Sequence, residues 1–560
     1  MSRREVDVVV LGAGAAGMCA ALVCAVEGLS VLLLEKELQV GGTTAWSGGM
    51  VWAPMTDVAR RAGYTDDAAD VQRYLDALVP RTADRQRLEA FLAAAPEAIA
   101  YLTARTAVVL QPVARYPDYY TDLPGATEAG RVLEPVPLDA TLLGPHLALL
   151  RRPLPEFALF GDMMVARADL PHFRNGLAAP RSTFVVASRL ARYAWQKARH
   201  GRGTTLVLGN ALAGRLLLSL VRAGVSLETG AEVDELLWDG EAVAGVRTVT
   251  GEVGARRGVV LATGGFTHDA GRRRVLLPAR AEASATASGA SGDGARLAEA
   301  CGARFAEAAE GNAFWAPVSR YRRPDGSEAV YPHTVTDRAK PGLIAVDDRG
   351  ERFVNEAVSY HEFVRAMLAH DNAGGAWLLG DARFLQRYGL GAAKPMAPSL
   401  RHFLDQRYLV RRGTVRELAV ALGLPADALV RTVDRTNAAA ARGEDPEFGR
   451  GSTAYQRFLG DADVTPNPCV APLVRPPFYA VRVAPGDLGA AAGLMTDASA
   501  RVLSQDGRPI AGLYACGADA LSVMEGSYPG PGITLGPALT FGYLAARDLS
   551  RTVPERAGRA

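Results

Sequence analysis

Cysteine is scarce in this chain: five residues in 560 (Cys19, Cys24, Cys301, Cys469 and Cys516), with no CxxC pair among them. That usage excludes a disulfide-stapled scaffold and is the one expected of a reduced, cytoplasmic protein. The eight histidines form no HExxH or similar ligand pair, so no bound metal is expected. An excess of one charge is missing too. The 62 Lys and Arg face 60 Asp and Glu, a net charge of +2, which leaves no electrostatic basis for binding nucleic acid. Internal repeats and low-complexity tracts are absent. One run, residues 8–34, is apolar enough after a basic start to imitate a membrane anchor, but Glu27 and its glycines argue against that reading. No other stretch is long and charge-free enough to span a bilayer. Apolar residues are plentiful at 49%, enough for a large core shared by two or three domains.

Residues 7–35 organise the rest. They read DVVVLGAGAAGMCAALVCAVEGLSVLLLE: a β-branched run, a glycine turn opening an Ala-rich helix, and a second buried strand ending on Glu35. Each part suits a dinucleotide. Gly12 permits the turn, Gly14 lets the backbone approach a pyrophosphate, and Gly17 lets the helix pack on the strand. The helix start offers free N–H groups to the phosphates. Glu35 can accept both hydroxyls of an adenosine ribose. A lone GxGxxG is a weak signal, and the acid arriving at the end of the second strand is what makes this a dinucleotide site. The motif alone does not say which dinucleotide.

Residues 40–49 (VGGTTAWSGG) follow directly, with glycines and hydroxyls suited to a loop folded tightly over a cofactor. Residues 68–105 carry helical apolar spacing, 115–122 (RYPDYYTD) form an aromatic polar loop, and the Pro- and Leu-rich 131–180 reads as an irregular lid or entrance. An amphipathic helix at 211–223 precedes strands near 226–229, 231–238 and 241–249. Residues 258–266 (GVVLATGGF) give the returning strand of the nucleotide sheet. From 309 to 484 the character changes, with helices near 358–369, 414–422 and 427–442, the second opened by a capping box of Thr414 with Glu417. Then come GLMTD at 493–497, GLYACG at 512–517 and YPGPGITLGP at 528–537. The last leads into a closing helix with Pro537 in its first turn, before a frayed tail. The expected fold class is α/β: a Rossmann-like domain from 1–308 and 485–560, with an α+β substrate domain inserted at 309–484.

Together GAGAAG, GGTTAWSGG, VVLATGGF, SGDGARLAEACGA, PGLIAVDDRGERFVNEAVSY, GLMTD, GLYACG and YPGPGITLGPALTFGYLAA stand in an order that resembles one group over nearly the whole chain. It is the flavoproteins related to fumarate reductase and succinate dehydrogenase, and within them the 3-ketosteroid Δ1-dehydrogenases. The resemblance implies a Rossmann-like FAD-binding fold and non-covalent FAD, since the 40–49 loop has no histidine for a covalent link. It implies cofactor contacts from Gly12, Gly14, Ala15, Ala16, Gly17, Glu35 and Lys36, and from Gly42, Thr43, Thr44, Ser47, Gly48 and Gly49 in the following loop. Further contacts fall to Val233, Ala262, Thr263, Gly264 and Asp293, and to Gly517, Ala518, Thr534 and Leu535. For a steroid substrate it implies that the Tyr528 O–H and the Gly532 N–H hold the C3 carbonyl. Tyr360, after Asn355 and Glu356, removes a C2 proton while a hydride leaves C1 for flavin N5. A third tyrosine from the DYY loop supports the base: Tyr119, with Tyr120 and Tyr116 as alternatives.

The chemistry also stands on its own terms. Two donors on a ketone oxygen stabilise a developing enolate as an oxyanion hole does, which leaves the α-proton easier to remove. Free tyrosine has a pKa near 10, so a tyrosine base needs its surroundings to stabilise tyrosinate. The start of the closing helix can place partial positive charge by the flavin pyrimidine. No second GxGxxG occurs, so the electrons are expected to pass to an external acceptor, a quinone or similar. Three other readings compete. One is desaturation at C4–C5, another a fumarate- or enoate-type reductase with Arg352 or Arg365 as donor. The third is a non-catalytic flavin subunit of a membrane complex docking through 131–180. The poor solubility of steroids leaves loose association with a membrane surface open.

Overall fold

A computed structural model describes residues 4–551 apart from 177–178, 282, 335–336 and 371–374; the frayed tail expected at the C-terminus lies outside the described residues. The first unit is β1 (Arg4–Leu11), α1 (Ala15–Val26) and β2 (Val31–Glu35). The apolar Val8–Leu11 segment and all of β2 are buried, as strands covered on both faces must be. Helix α1 is buried from Ala15 through Cys24 because it lies between the sheet and α5 (Leu535–Arg551). Its small residues allow that. A Cβ added to Gly542 of α5 would stand 2.7 Å from the Ala16 carbonyl oxygen, so the two helices meet backbone to backbone.

Six strands run in the order β3–β2–β1–β6–β5–β4, where β3 is Ser226–Thr229, β4 Val233–Trp238, β5 Val243–Thr248 and β6 Gly251–Leu261. Strand β6 serves two neighbours. Its first half pairs antiparallel with β5, and its second half lies parallel to Pro509–Ala515. The chain thus leaves this sheet after residue 261 and returns to it some 250 residues later, so the sheet is built from discontinuous segments. Strands β1, β2, β6 and Pro509–Ala515 all point the same way, and their C-terminal ends form one edge.

The second large sheet is antiparallel along its main path: Glu328–Pro332, Ala313–Arg322, Phe478–Ala490, Ala376–Asp381, Leu343–Val346. Helix α4 (Tyr360–Ala369) packs on Ala313–Arg322 and carries Tyr360 as its first residue. The capping box at Thr414 and Glu417 is present in full. Two expectations need correction. Residues 131–180 are not merely a lid: Val132–Pro135 is the middle strand of a small sheet with Val51–Trp52 and Leu110–Pro112, tied to the core. A 21-residue helix, α2 (Pro180–His200), had no counterpart in the sequence reading, and the next helix, α3 (Leu208–Arg222), starts before residue 211. Among the described residues no helix is long and apolar enough to cross a membrane.

Candidate active site

The turn at the end of β1 is fixed by close approach. Gly12 has φ +98°, and a Cβ there would fall 2.2 Å from the Ala262 carbonyl oxygen; one on Gly17 would fall 1.9 Å from that of Gly12. Gly14 differs, since an added Cβ would meet nothing within 4 Å and would project into open space. That is the position where a pyrophosphate needs access. Glu35 ends β2 with its carboxylate buried; Oε2 accepts the Ala13 N–H at 2.8 Å and Oε1 the Glu37 N–H at 3.0 Å. Burial pushes this carboxyl above its ordinary range against those two donors. Lys36 and Asp293 form an ion pair at 2.5 Å.

The glycine-rich loop folds as a short 3₁₀ turn, Gly42–Trp46, over the start of α1, where Thr44 Oγ1 accepts the Ala15 N–H at 3.1 Å. One helix-start donor is therefore taken by the protein itself. Asp519, which the sequence reading missed, is buried and organises the turn after β6. It accepts the Thr263 N–H (2.5 Å), the Thr263 hydroxyl (3.0 Å) and the Gly265 N–H (2.9 Å). Nothing in GLYACGAD marked it, because its partners lie some 250 residues away.

A cavity of about 1350 Å³ runs from this edge into the space between the two sheets. Every residue expected at the cofactor lines it except Gly17, which is spent on helix packing. The volume exceeds the roughly 300–1,000 Å³ of a pocket for one small ligand. There is room for a dinucleotide and a second extended molecule.

Tyr360, Tyr528 and Gly532 line the same cavity. Tyr360 donates its O–H to the Tyr528 phenol oxygen at 2.8 Å, and both rings are buried. Gly532 has φ +92°; its carbonyl accepts the Trp52 N–H (3.1 Å) and the Gly536 N–H (2.9 Å), while its own N–H has no acceptor among the described residues. That free N–H, four residues after a phenol, is the pair a ketone oxygen needs.

Tyr119 lies behind the other two. Its ring stacks on Tyr528 (centroids 5.5 Å, 13°) and meets Tyr360 edge-on at 5.7 Å. The loop is fastened to the Tyr528 turn by its own backbone, for the Tyr119 N–H and the Tyr74 hydroxyl both donate to the Pro529 carbonyl, at 3.0 and 2.6 Å. Asp118 anchors it from beneath, accepting Trp52 Nε1 (2.9 Å) and Arg131 (2.8 Å) with no solvent exposure. The two alternatives are placed elsewhere. Tyr120 donates to Glu362 at 2.8 Å, and Tyr116 packs on Phe458. A fourth ring, Tyr455, was not anticipated; it is buried 4.7 Å from Tyr119. The hydroxyls of Tyr119, Tyr116 and Tyr455 are buried with no hydrogen-bond partner among the described residues.

Burial raises all these phenols. Tyr528 is pushed up to about 12, and Tyr360, Tyr119 and Tyr455 well above the ordinary value. Tyr528 therefore stays a donor at any working pH. His361 beside it is pushed down to about 3 by burial and is neutral; its Nδ1 accepts the Trp315 N–H, which places its proton on Nε2. The arginines that a fumarate-type reaction would use do not reach the cavity. Arg352 is tied to Glu356 and Asp445, and Arg365 to Glu310 and Glu362.

Comparison with known proteins agrees with this geometry. The FAD binding domain family matches residues 7–535. The chain is 40% identical to 4-oxocyclohex-2-ene-1-carboxylate 5-dehydrogenase of Sinomonas cyclohexanicum, over 98% of this chain and 94% of that one. It is 37% identical to 3-oxosteroid 1-dehydrogenase of Mycobacterium tuberculosis, over 99% and 100%. The crystal structure of 3-ketosteroid delta1-dehydrogenase from Sterolibacterium denitrificans in complex with 1,4-androstadiene-3,17-dione superposes with a TM-score of 0.90, at 36% identity over 98% of this chain and 99% of that one.

Proposed function

Because the chain belongs to the FAD-binding flavoprotein family of the 3-oxosteroid 1-dehydrogenases, we propose that it removes the hydrogens of C1 and C2 from the A ring of a 3-ketosteroid, leaving a C1–C2 double bond. The observation that carries this reading is that Tyr528, Tyr360 and Gly532 line one cavity, with the Tyr360 hydroxyl 2.8 Å from that of Tyr528 and no acceptor for the Gly532 N–H among the described residues. The open Gly14 position, the buried Glu35 carboxylate and the 40–49 loop fit FAD. Bound FAD supplies the hydride acceptor.

The chain's own residues bind, polarise and deprotonate. Tyr528 and Gly532 donate to the ketone oxygen, so charge developing there on loss of the C2 proton meets two fixed donors. Tyr360 takes that proton. Starting α4 places it at the positive end of a helix, which favours the tyrosinate form. The reaction removes a proton and a hydride together, so reoxidation needs a second acceptor, and a quinone-type molecule suits a protein with one dinucleotide motif.

A smaller substrate, an oxocyclohexane carboxylate, is the second reading. It is favoured by the 40% identical relative and by Lys394, a cation on the cavity wall that donates to the Pro155 and Ala158 carbonyls and has no carboxylate partner among the described residues. Steady-state kinetics of the FAD-loaded protein with an artificial acceptor, on androst-4-ene-3,17-dione and on 4-oxocyclohex-2-ene-1-carboxylate, decide between them. The steroid reading expects the higher kcat/KM on the steroid; turnover of the carboxylate alone would overturn it.

A further inference from the structure

The tyrosine reading leaves a difficulty. Every phenol of the cluster is raised by burial, yet one of them must act as a base. A positive charge close by would offset that, and of the three buried guanidiniums bonded to residue 356, one stands apart. Arg352 and Arg450 both have carboxylate partners. Arg338 has none at ion-pair distance among the described residues, although it is only 1% exposed. Its donors go to main-chain carbonyls: Nε to His333 (2.9 Å), one terminal nitrogen to Glu356 (3.1 Å) and Val358 (3.2 Å), the other to Thr334 (3.1 Å). Two of those carbonyls lie two and four residues before Tyr360, so the guanidinium is fixed beside the turn that opens α4. Its flat face lies 4.9 Å from the Phe363 ring, one turn on.

We propose that Arg338 is the positioning residue of the base: a buried cation with no carboxylate at ion-pair distance among the described residues, held by carbonyls next to the start of α4, that stabilises the tyrosinate form of Tyr360 and its neighbours. The proposal rests on the reading of Tyr360 as the proton acceptor. Its field bears most on Tyr455 and less on Tyr119 and Tyr360. Burying a guanidinium without a carboxylate is costly, and the observed hydrogen bonds engage four of its five N–H groups while leaving its charge in place.

The other charged groups around Tyr360 do not supply this charge. Across from it stand the neutral phenols of Tyr528, Tyr119 and Tyr455. On its own helix His361 is neutral, and Glu362 is engaged with Arg365 and Tyr120, with Glu310 beyond. Asp337, adjacent to Arg338, is the nearest opposing charge; it is bound by His333 Nδ1 (2.6 Å) and the Gly391 N–H (3.3 Å). The Arg352–Glu356–Arg450 cluster with Asp445 is internally paired, and Arg450 also donates to the Arg338 carbonyl at 2.7 Å.

The test is the pH profile of kcat/KM in the FAD-loaded enzyme, paired with a near-ultraviolet titration of phenolate in the same protein without substrate. Removing an opposite charge at short range raises an acid's pKa by about one to three units. Arg338→Gln is expected to lose about tenfold or more in kcat/KM at neutral pH, to recover as pH rises, and to lift the most acidic phenolate step that Tyr360→Phe abolishes. Arg338→Lys is expected to restore most of the neutral-pH rate. Asp337→Asn leaves the guanidinium in place and is expected to move the limb the other way, to lower pH. A deficit in Arg338→Gln that is constant across pH, with the phenolate step unmoved, would overturn the proposal. Should Arg338→Gln fail to fold, Asp337→Asn decides: an unshifted limb overturns it. If the wild-type enzyme turns over no ketosteroid, the functional reading fails, and the substrate-free titration still judges Arg338.

Discussion

Tyr528→Phe isolates the electrophilic half of the site. The substitution removes one oxygen from a buried ring and keeps its contacts with Tyr119, Phe314 and Tyr360. The cavity shape is therefore retained. What is lost is a donor that stays protonated at working pH, since burial holds the phenol near 12. Losing one oxyanion donor costs about 2.7–4 kcal/mol, or about 10²–10³ in kcat. The Gly532 N–H remains, so some turnover is expected to persist. The Tyr360 hydroxyl also loses its acceptor at 2.8 Å, which places the effect toward the upper end of that range. Stopped-flow reduction of the bound cofactor by a 3-ketosteroid measures the step directly, and the oxidised-flavin spectrum reports whether FAD is still held. A fall of less than about tenfold with full FAD occupancy would refute the assignment of Tyr528 to the carbonyl.

Further expectations concern pH, cofactor and stability. Tyr360 must be deprotonated to act and its phenol is raised by burial, so kcat/KM should climb with pH from neutral to alkaline, and the climb should vanish in Tyr360→Phe. Glu35→Gln should weaken FAD binding by about tenfold or more, read by equilibrium dialysis, because a charged acceptor for ribose hydroxyls is worth about 1.5–3 kcal/mol. Asp118→Asn leaves Arg131 with Asp66 alone and weakens the anchor of the Tyr119 loop. It should cost about 1.5–3 kcal/mol in denaturant unfolding, the worth of one charged hydrogen bond with Arg131 still paired to Asp66, and unchanged stability would contradict the anchoring argument.

Legibility in the sequence followed the range of the interactions. The βαβ unit, the capping box at Thr414 and the closing helix are local: turn glycines, apolar periodicity and caps lie within a few residues of what they determine. Tyr528 and Gly532 came from the resemblance to the dehydrogenase family, carried by a motif in which the two stand four residues apart in one turn. The resemblance offered Tyr119 with Tyr120 and Tyr116 as alternatives, and the hydrogen bonds to Pro529 and Glu362 that set Tyr119 and Tyr120 apart are visible only in the fold. Tyr455 sits on a six-residue helix capped by Thr453, an S/T-x-x-Q signal that was available but said nothing of the partner 336 positions earlier. Helix Pro180–His200 was missed although its apolar residues recur at helical spacing, and they cover little core: Phe184 and Trp195 are 75% and 62% exposed. Arg338, Asp519 and Asp118 are buried charges whose partners are backbone atoms or distant side chains, and no local pattern announces such a residue.

The most direct test of the account is the position of the new double bond. Incubating the enzyme and an artificial acceptor with 5α-androstane-3,17-dione, followed by nuclear magnetic resonance of the product, separates the two sides of the carbonyl. A ketone held by Tyr528 and Gly532 with Tyr360 as base should yield the C1–C2 alkene. A C4–C5 alkene, or recovery of the saturated ketone alone, would contradict the account.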